Sequence, residues 1–171
     1  MKKIIGFALL GILVVIQFIR PNFTNPPVDQ ALDIRQVLQP PADVHAILKG
    51  ACYDCHSNET QYPWYSQVSP VSWWLAGHIR EGREHLNFST IGSLTQSDRS
   101  EILGEAAEEV QQGGMPLASY TWTHPAARLS ATQRDLVVTW LNARGAGEGG
   151  VETSGKNAPG GVAEQEHEDN D

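Results

Sequence analysis

The sequence predicts an all-α fold, and three observations carry that prediction. No segment sustains the period-two alternation of a half-buried strand. Apolar residues recur instead at helical spacing, as Val44, Ile47, Leu48 and Ala51 do at i, i+3, i+4 and i+7. Helix-start signals punctuate the chain at Ser69-Pro70, at Thr95 with Asp98, and at Ser130 with Gln133.

The elements follow in order. Lys2 and Lys3 precede an apolar run from Ile4 to Ile19, broken only by Gln17 and closed by Arg20-Pro21. Residues 1–20 therefore predict a signal-anchor, a single transmembrane helix with the lysines on the cytoplasmic side. Sixteen helical residues span about 24 Å against a hydrocarbon core of roughly 30 Å, a deficit that snorkelling lysine and arginine can cover. No small-x-small pair follows the run, which favours an uncleaved anchor over a removed signal peptide. Residues 21–41 contain Pro21, Pro26, Pro27, Pro40 and Pro41 and read as an extended spacer, with a turn or two of helix between Ala31 and Leu38.

Residues 42–144 form the one domain that 171 residues allow between these flanks. Its first helix carries the Val44 to Ala51 face. A second is capped by Ser69 and runs to about His85. A third starts at Thr95 and ends at Gly113-Gly114. A last helix, behind the Ser130/Gln133 capping box, runs to about Arg144 and presents Leu136, Val137, Trp140 and Leu141 on one face. Residues 145–171 are rich in glycine and acid and hold almost no large apolar side chain, a composition that predicts disorder. Seven carboxylates against Lys156 give this tail six of the chain's net eight negative charges, so the acidity says little about the domain.

The first helix leads straight into Cys52-Tyr53-Asp54-Cys55-His56, which holds both cysteines of the chain. C-x-x-C-H is the spacing of c-type haem attachment. Two thiols three residues apart share one side of a helical turn and can each add to a vinyl group of one haem, and the next residue can place its imidazole under the iron. Covalent attachment of this kind takes place outside the bacterial cytoplasmic membrane, the compartment the N-terminal segment predicts. Two other readings compete. A thioredoxin-like dithiol needs a βαβ setting, and none is visible. A structural zinc needs four ligands, usually from two pairs, and there is one pair.

A second iron ligand is sought among soft or imidazole donors. Met115, in Gly113-Gly114-Met115-Pro116, is the sole methionine after the initiator. A thioether raises the haem potential and marks electron-carrying cytochromes. Filling a core gap is the competing role for that side chain. His78 is the rival ligand, on the second helix with Val71 and Leu75, where a buried hydrogen-bonded histidine is the plainer reading; His124 ranks behind it. His45, His85 and His167 read as surface residues. Trp64, Tyr65, Trp73 and Trp74 are expected to line the haem pocket or to build the core. Arg80 and Arg83 are the candidates for pairing haem propionates, with a solvated helix face as the alternative. Glu105, Glu108 and Glu109 read as an exposed face. Nothing resembles a phosphate loop, a nucleophile triad or a nucleic-acid surface.

With these residues in place the chain resembles a bacterial cytochrome c-related haem-binding domain family. The matching blocks are Cys52 to Thr60, Tyr62 to Ser66, Pro70 to Trp74, Gly82 to Ser89 and Gly114 to Pro116, within about residues 40–144. The resemblance implies a cytochrome c-like helical fold, one covalent haem c with its iron, and an extracytoplasmic location. More distantly the chain resembles class I cytochromes c, with the haem motif early, Met-Pro late and a closing helix last; the Trp- and Pro-rich stretch 62–75 departs from them. The function expected is that of a membrane-anchored monohaem cytochrome passing single electrons on the periplasmic or outer side. Cys52 and Cys55 would hold the haem, and His56 and Met115 would ligate the iron. Its partners would be membrane-bound or periplasmic redox proteins, and an electron carrier of this kind is not itself an enzyme. The alternative is a haem sensor or peroxidase-like enzyme with an open or displaceable distal site, served by His78 and Arg80 or Arg83.

Overall fold

The computed structural model describes residues 1–146, and among these every regular element is a helix. The elements are α1 (Lys2–Ile16), α2 (Ile34–Val37), α3 (Ala42–Ala51), α4 (Tyr53–His56), α5 (Val71–His85), α6 (Gln96–Gln112), α7 (Ala118–Thr123) and α8 (Ala131–Gly145). Single 3-10 turns lie at Trp64–Gln67, Ile91–Ser93 and Pro125–Ala127. The tail expected to be disordered falls, from residue 147 on, outside the described residues.

The local signals act at most of the predicted ends. Thr95 accepts the Asp98 N–H at the start of α6, and the Ser130/Gln133 box closes in both directions at the start of α8. Gly113 ends α6 at φ +79°, a left-handed value that a side chain would resist. Ser69 differs from expectation. The residue before α5 is Pro70, already in right-handed backbone, and the Ser69 hydroxyl pairs with that of Ser72 instead.

α6 lies along α8, and α3 packs against α8 at one side and α4 at the other. The core is Val44 and Leu48 of α3, Leu103 and Ala107 of α6, and Val137, Trp140 and Leu141 of α8. Tyr53, Phe88 and Ile91 extend it towards the start of the chain. Each fully buried leucine or isoleucine here contributes roughly 1.5–3 kcal/mol relative to exposure.

Residues 21–29 have no regular structure and 30–33 form a turn, and the whole segment lies on the domain as a strap. Asn25 donates to the Thr60 carbonyl and accepts from Tyr62 and Arg83, and the Pro27 carbonyl accepts from Asn58. Ile34 is wholly buried and its N–H donates to the Phe88 carbonyl. Asp33, equally buried, caps α2 and accepts two bonds from Arg35, which also pairs with Glu59 at 3.2 Å.

The expected membrane-spanning helix is not found. α1 has fifteen residues, ending at Ile16 where helical spacing had been expected to reach Ile19, and no helix among the described residues is long and apolar enough to cross a membrane. Fifteen residues rise about 22 Å. The chain leaves regular helix at Gln17, whose side chain turns back to pair with Ser69. From Lys2 to Val15 every side chain of α1 is exposed.

Candidate functional site

The C-x-x-C-H segment is a separate turn set against the end of α3. Cys52 has φ −124° and ψ −34°, which interrupts α3, and α4 restarts as a single turn closed by the N–H groups of Cys55 and His56 donating to the Cys52 carbonyl. This turn puts the two sulfurs on one side. The two residues between them have separate anchors. Tyr53 is buried, its ring 5.4 Å from Phe88 and edge-on to His45 at 5.7 Å. Asp54 points the other way: Oδ1 accepts the Gln61 N–H at 2.8 Å and Oδ2 accepts the Tyr120 hydroxyl at 2.7 Å.

α5 supports the motif from below. Gly82 approaches so closely that a Cβ there would stand 2.8 Å from the Cys55 carbonyl oxygen. Arg83 donates to the Ser57 carbonyl, Thr60 Oγ1 and Asn25, so it clamps the loop after the motif to α5 and to the strap. Beyond α5 the Leu86 carbonyl stands 3.0 Å from His56 Nδ1. A carbonyl can only accept, so Nδ1 carries the proton and Nε2 keeps its lone pair for a metal. Burial holds the His56 pKa below its ordinary value, against the smaller upward pull of its backbone hydrogen bonds, and favours the neutral ligand form.

Burial pushes the Cys52 thiol up to about 12 and the Cys55 thiol up to about 11. Both are free and protonated at neutral pH, unlike the depressed thiolate of a catalytic dithiol. Among the described residues no group of three or more His, Cys, Asp or Glu is placed to hold a metal ion, so these residues supply no zinc cage. An iron that arrives within a macrocycle needs only axial ligands.

Met115 follows the C-cap of α6, with its N–H donating to the Glu109 carbonyl at 3.1 Å. Arg134 of α8 donates to the Val110 carbonyl at 2.8 Å, beside the Gly113 N–H that reaches the same oxygen, and so reinforces that helix end. The loop then enters α7, whose Tyr120 is the residue bonded to Asp54. Burial first, then that hydrogen bond, raises the Tyr120 pKa, which keeps the phenol a donor.

These elements enclose a cavity of about 660 Å³. Cys52, Cys55, His56 and Met115 all line it. Its walls are largely apolar, with Leu48 of α3, Phe88, Ile102 and Val110 of α6, and Val137 and Leu141 of α8. That volume lies within the range of small-molecule and cofactor sites. A flat apolar macrocycle fits such walls, with two thiols at one edge and a nitrogen and a sulfur donor available to its iron.

Other predicted residues fall differently. His78 does line the cavity, with Nδ1 2.9 Å from the Trp74 carbonyl, and so does His85. His124 instead stacks on Tyr120 at 4.1 Å and lies outside the lining. His45, expected at the surface, has its Nε2 buried without a partner. The tryptophans expected in the pocket or core are at the surface: Trp64 is 80% exposed, and Trp73 and Trp74 are also exposed. A run of large aromatics is a burial signal only where enough packing partners exist, and here single ring contacts, Trp64 with Tyr65 and Trp74 with His78, leave the indoles exposed. Arg80 pairs loosely with Glu84 and, like Arg83, does not line the cavity. Glu105, Glu108 and Glu109 are exposed as expected, and with the exposed Glu81 they also form an acidic rim to the cavity, which helical spacing alone could not reveal. Tyr120 also escaped sequence reasoning, since it meets Asp54 across 66 residues.

A family model described as a haem-binding domain matches residues 11–143. No curated protein and no solved structure matches the chain.

Proposed function

The chain belongs to that haem-binding domain family, and from this premise we propose that it is a monohaem c-type cytochrome transferring single electrons outside the cytoplasmic membrane. The observation that carries the reading is the convergence of Cys52, Cys55, His56 and Met115 on one cavity, although Met115 lies some sixty residues from the motif. When bound, the haem iron cycles between ferrous and ferric and so holds or releases one electron. The residues do the rest. Cys52 and Cys55 fix the group by thioether bonds, each thiol adding as S–H across a vinyl double bond with no change of oxidation state overall. His56 offers Nε2 as proximal donor, aimed by the Leu86 carbonyl. Met115 offers a soft, neutral thioether on the distal side. The apolar walls exclude water, and the Tyr120–Asp54 bond ties the distal loop to the attachment turn.

The exposed apolar α1, behind Lys2 and Lys3, supports export and retention at the membrane, with the domain on the periplasmic or outer side. Helical turns continue irregularly past α1 through Phe18 and Ile19, and lysine and arginine snorkelling extends the reach of the segment. Membrane-bound or periplasmic redox proteins are the partners this location offers.

Haem staining on a denaturing gel tests the attachment. A stained wild-type band that Cys52→Ala weakens supports the proposal; a colourless wild-type band from a host with haem-attachment machinery overturns it. The weak far-red charge-transfer band of ferric, sulfur-ligated haem tests Met115. One observation favours a second reading, a sensor or peroxidase-like site: His78 lines the same cavity with its Nε2 uncommitted. Against it, Arg80 and Arg83 are turned to other partners. Carbon monoxide binding to the reduced protein without a lag decides for that reading.

A further inference from the structure

The N-terminal helix is tied to one face of the domain. The Gln17 side chain and the Ser69 backbone exchange two hydrogen bonds, Nε2 to the carbonyl at 2.9 Å and N–H to Oε1 at 3.0 Å. Trp73 Nε1 donates to the Ile19 carbonyl at 2.7 Å, the Ser69 hydroxyl reaches the same oxygen at 3.4 Å, and Arg20 reaches Gln67. These bonds join segments about fifty residues apart. With the packed strap of residues 21–33, they set how the domain sits relative to α1.

The face so joined is apolar and open to solvent. Val68, Val71, Trp73 and Trp74 are between 38% and 47% exposed, clustered in one stretch immediately beside the tie to Gln17 and Ile19. Scattered single apolar residues need no explanation, but four within seven positions at the foot of an apolar helix exposed from Lys2 to Val15 do. We propose that this face rests in the headgroup region of the lipid bilayer, forming an aromatic collar around the foot of α1. The inference rests on the membrane-anchoring reading above and extends it from the helix to the domain.

Two further observations fit lipid as the occupant. Tryptophan partitions to the membrane interface because an apolar ring and an N–H donor suit its mixed environment. Arg20 lies at the same level, between α1 and Gln67, where a guanidinium meets lipid phosphate. The seating also orients the cavity. Trp74 packs on His78 at 4.2 Å between ring centroids, and His78 lines the cavity, so the His78 edge is one side chain removed from the collar. Redox partners embedded in the membrane would then approach that edge more readily than the acidic rim.

The test uses the full-length holoprotein in phosphatidylcholine–phosphatidylglycerol vesicles containing a lipid with a photoactivatable diazirine near its headgroup. Lipid adducts are then mapped by peptide mass spectrometry. The proposal expects adducts on residues 68–74 several-fold above those on α6, together with adducts on residues 1–20. Adducts confined to residues 1–20 overturn the collar and leave the anchor standing, the result expected if a second copy or a partner protein covers this face. Vesicles that label neither segment overturn both readings.

Discussion

Replacing Tyr120 by phenylalanine removes one oxygen atom and the bond that ties the Met115 loop to the Cys52–His56 turn. The hydroxyl donates to Asp54 Oδ2 at 2.7 Å, and Asp54 sits between the two cysteines, so the bond joins the two sides of the cavity directly. Hydrogen bonds to a charged acceptor contribute about 1.5–3 kcal/mol net. Asp54 is only half-buried and keeps the Gln61 N–H on its other oxygen, so water can replace the lost donor and the lower end of that range, about 1.5 kcal/mol, applies. If the bond stabilises the closed arrangement, with Met115 on the iron, the population lacking that ligand rises about tenfold. With Met115 as the proposed ligand, an external ligand such as imidazole would bind the ferric iron only where Met115 is off it. Its apparent affinity therefore also rises about tenfold in Tyr120→Phe.

The assay is a spectrophotometric imidazole titration of wild type, Tyr120→Phe and Met115→Ala. The alanine variant reports the affinity with no competing sulfur. An unchanged imidazole affinity in Tyr120→Phe, with a tighter one in Met115→Ala, would refute the argument that α7 holds the distal loop. Unchanged affinity in both variants would remove Met115 as the ligand altogether. Urea denaturation of the holoprotein separates a local loosening from a general loss of stability.

Three further outcomes follow from the same geometry. Met115→His replaces a thioether by an imidazole, so it lowers the midpoint potential measured by redox titration and abolishes the far-red sulfur band. Gly82→Ala drives a Cβ to 2.8 Å from the Cys55 carbonyl oxygen, and overpacking of this kind costs about 1–3 kcal/mol, read as a lower urea midpoint with a smaller yield of haem-stained protein. In protein expressed without haem attachment, His56 has a folded-state pKa below its ordinary 6.5, so the folded chain binds fewer protons than the unfolded one. The stability from keeping it neutral is complete above about 6.5 and is lost as pH falls through the lowered folded value; chemical denaturation at several pH values should show that slope, and His56→Gln should flatten it.

What the sequence made legible divides along a physical line. Signals that act within one turn of helix were readable, because their partners lie three or four residues away. Thr95 and Asp98, Ser130 and Gln133, the Gly113 cap and the Val44–Leu48 face are all of this kind, and so is the placement of Cys52, Cys55 and His56 on one turn. Signals that depend on the return of a distant segment were not. Asp54 and Tyr120 meet across 66 residues, Gln17 and Ser69 across 52, and no local pattern marks either pair. The same distinction explains the tryptophans and the arginines. Composition said that Trp64, Trp73 and Trp74 are costly to expose, which suggested burial, but it could not say that the apolar α1 ends beside two of them. Arg83 had the chemistry to meet a propionate, and the strap claimed it first through Asn25.

The strap also bears on how such a cytochrome would work. A flexible spacer would let the domain sample both donor and acceptor, with association limited by diffusion on the tether. Residues 21–33 are instead bonded along their length, with Ile34 wholly buried and Gln17 paired to Ser69 at the helix foot. A domain held this way keeps one orientation, so the edge it offers to partners is set by the fold and not by the tether. Freeing the foot with Gln17→Ala, Arg20→Ala, Ser69→Ala and Trp73→Phe together removes the side-chain bonds that tie it to residues 67–73 while leaving the apolar helix intact. If fixed orientation governs electron transfer, that variant keeps its ligand spectrum and potential and changes the rate of reduction by a membrane-bound donor. An unchanged rate would return the segment to the role of a simple tether.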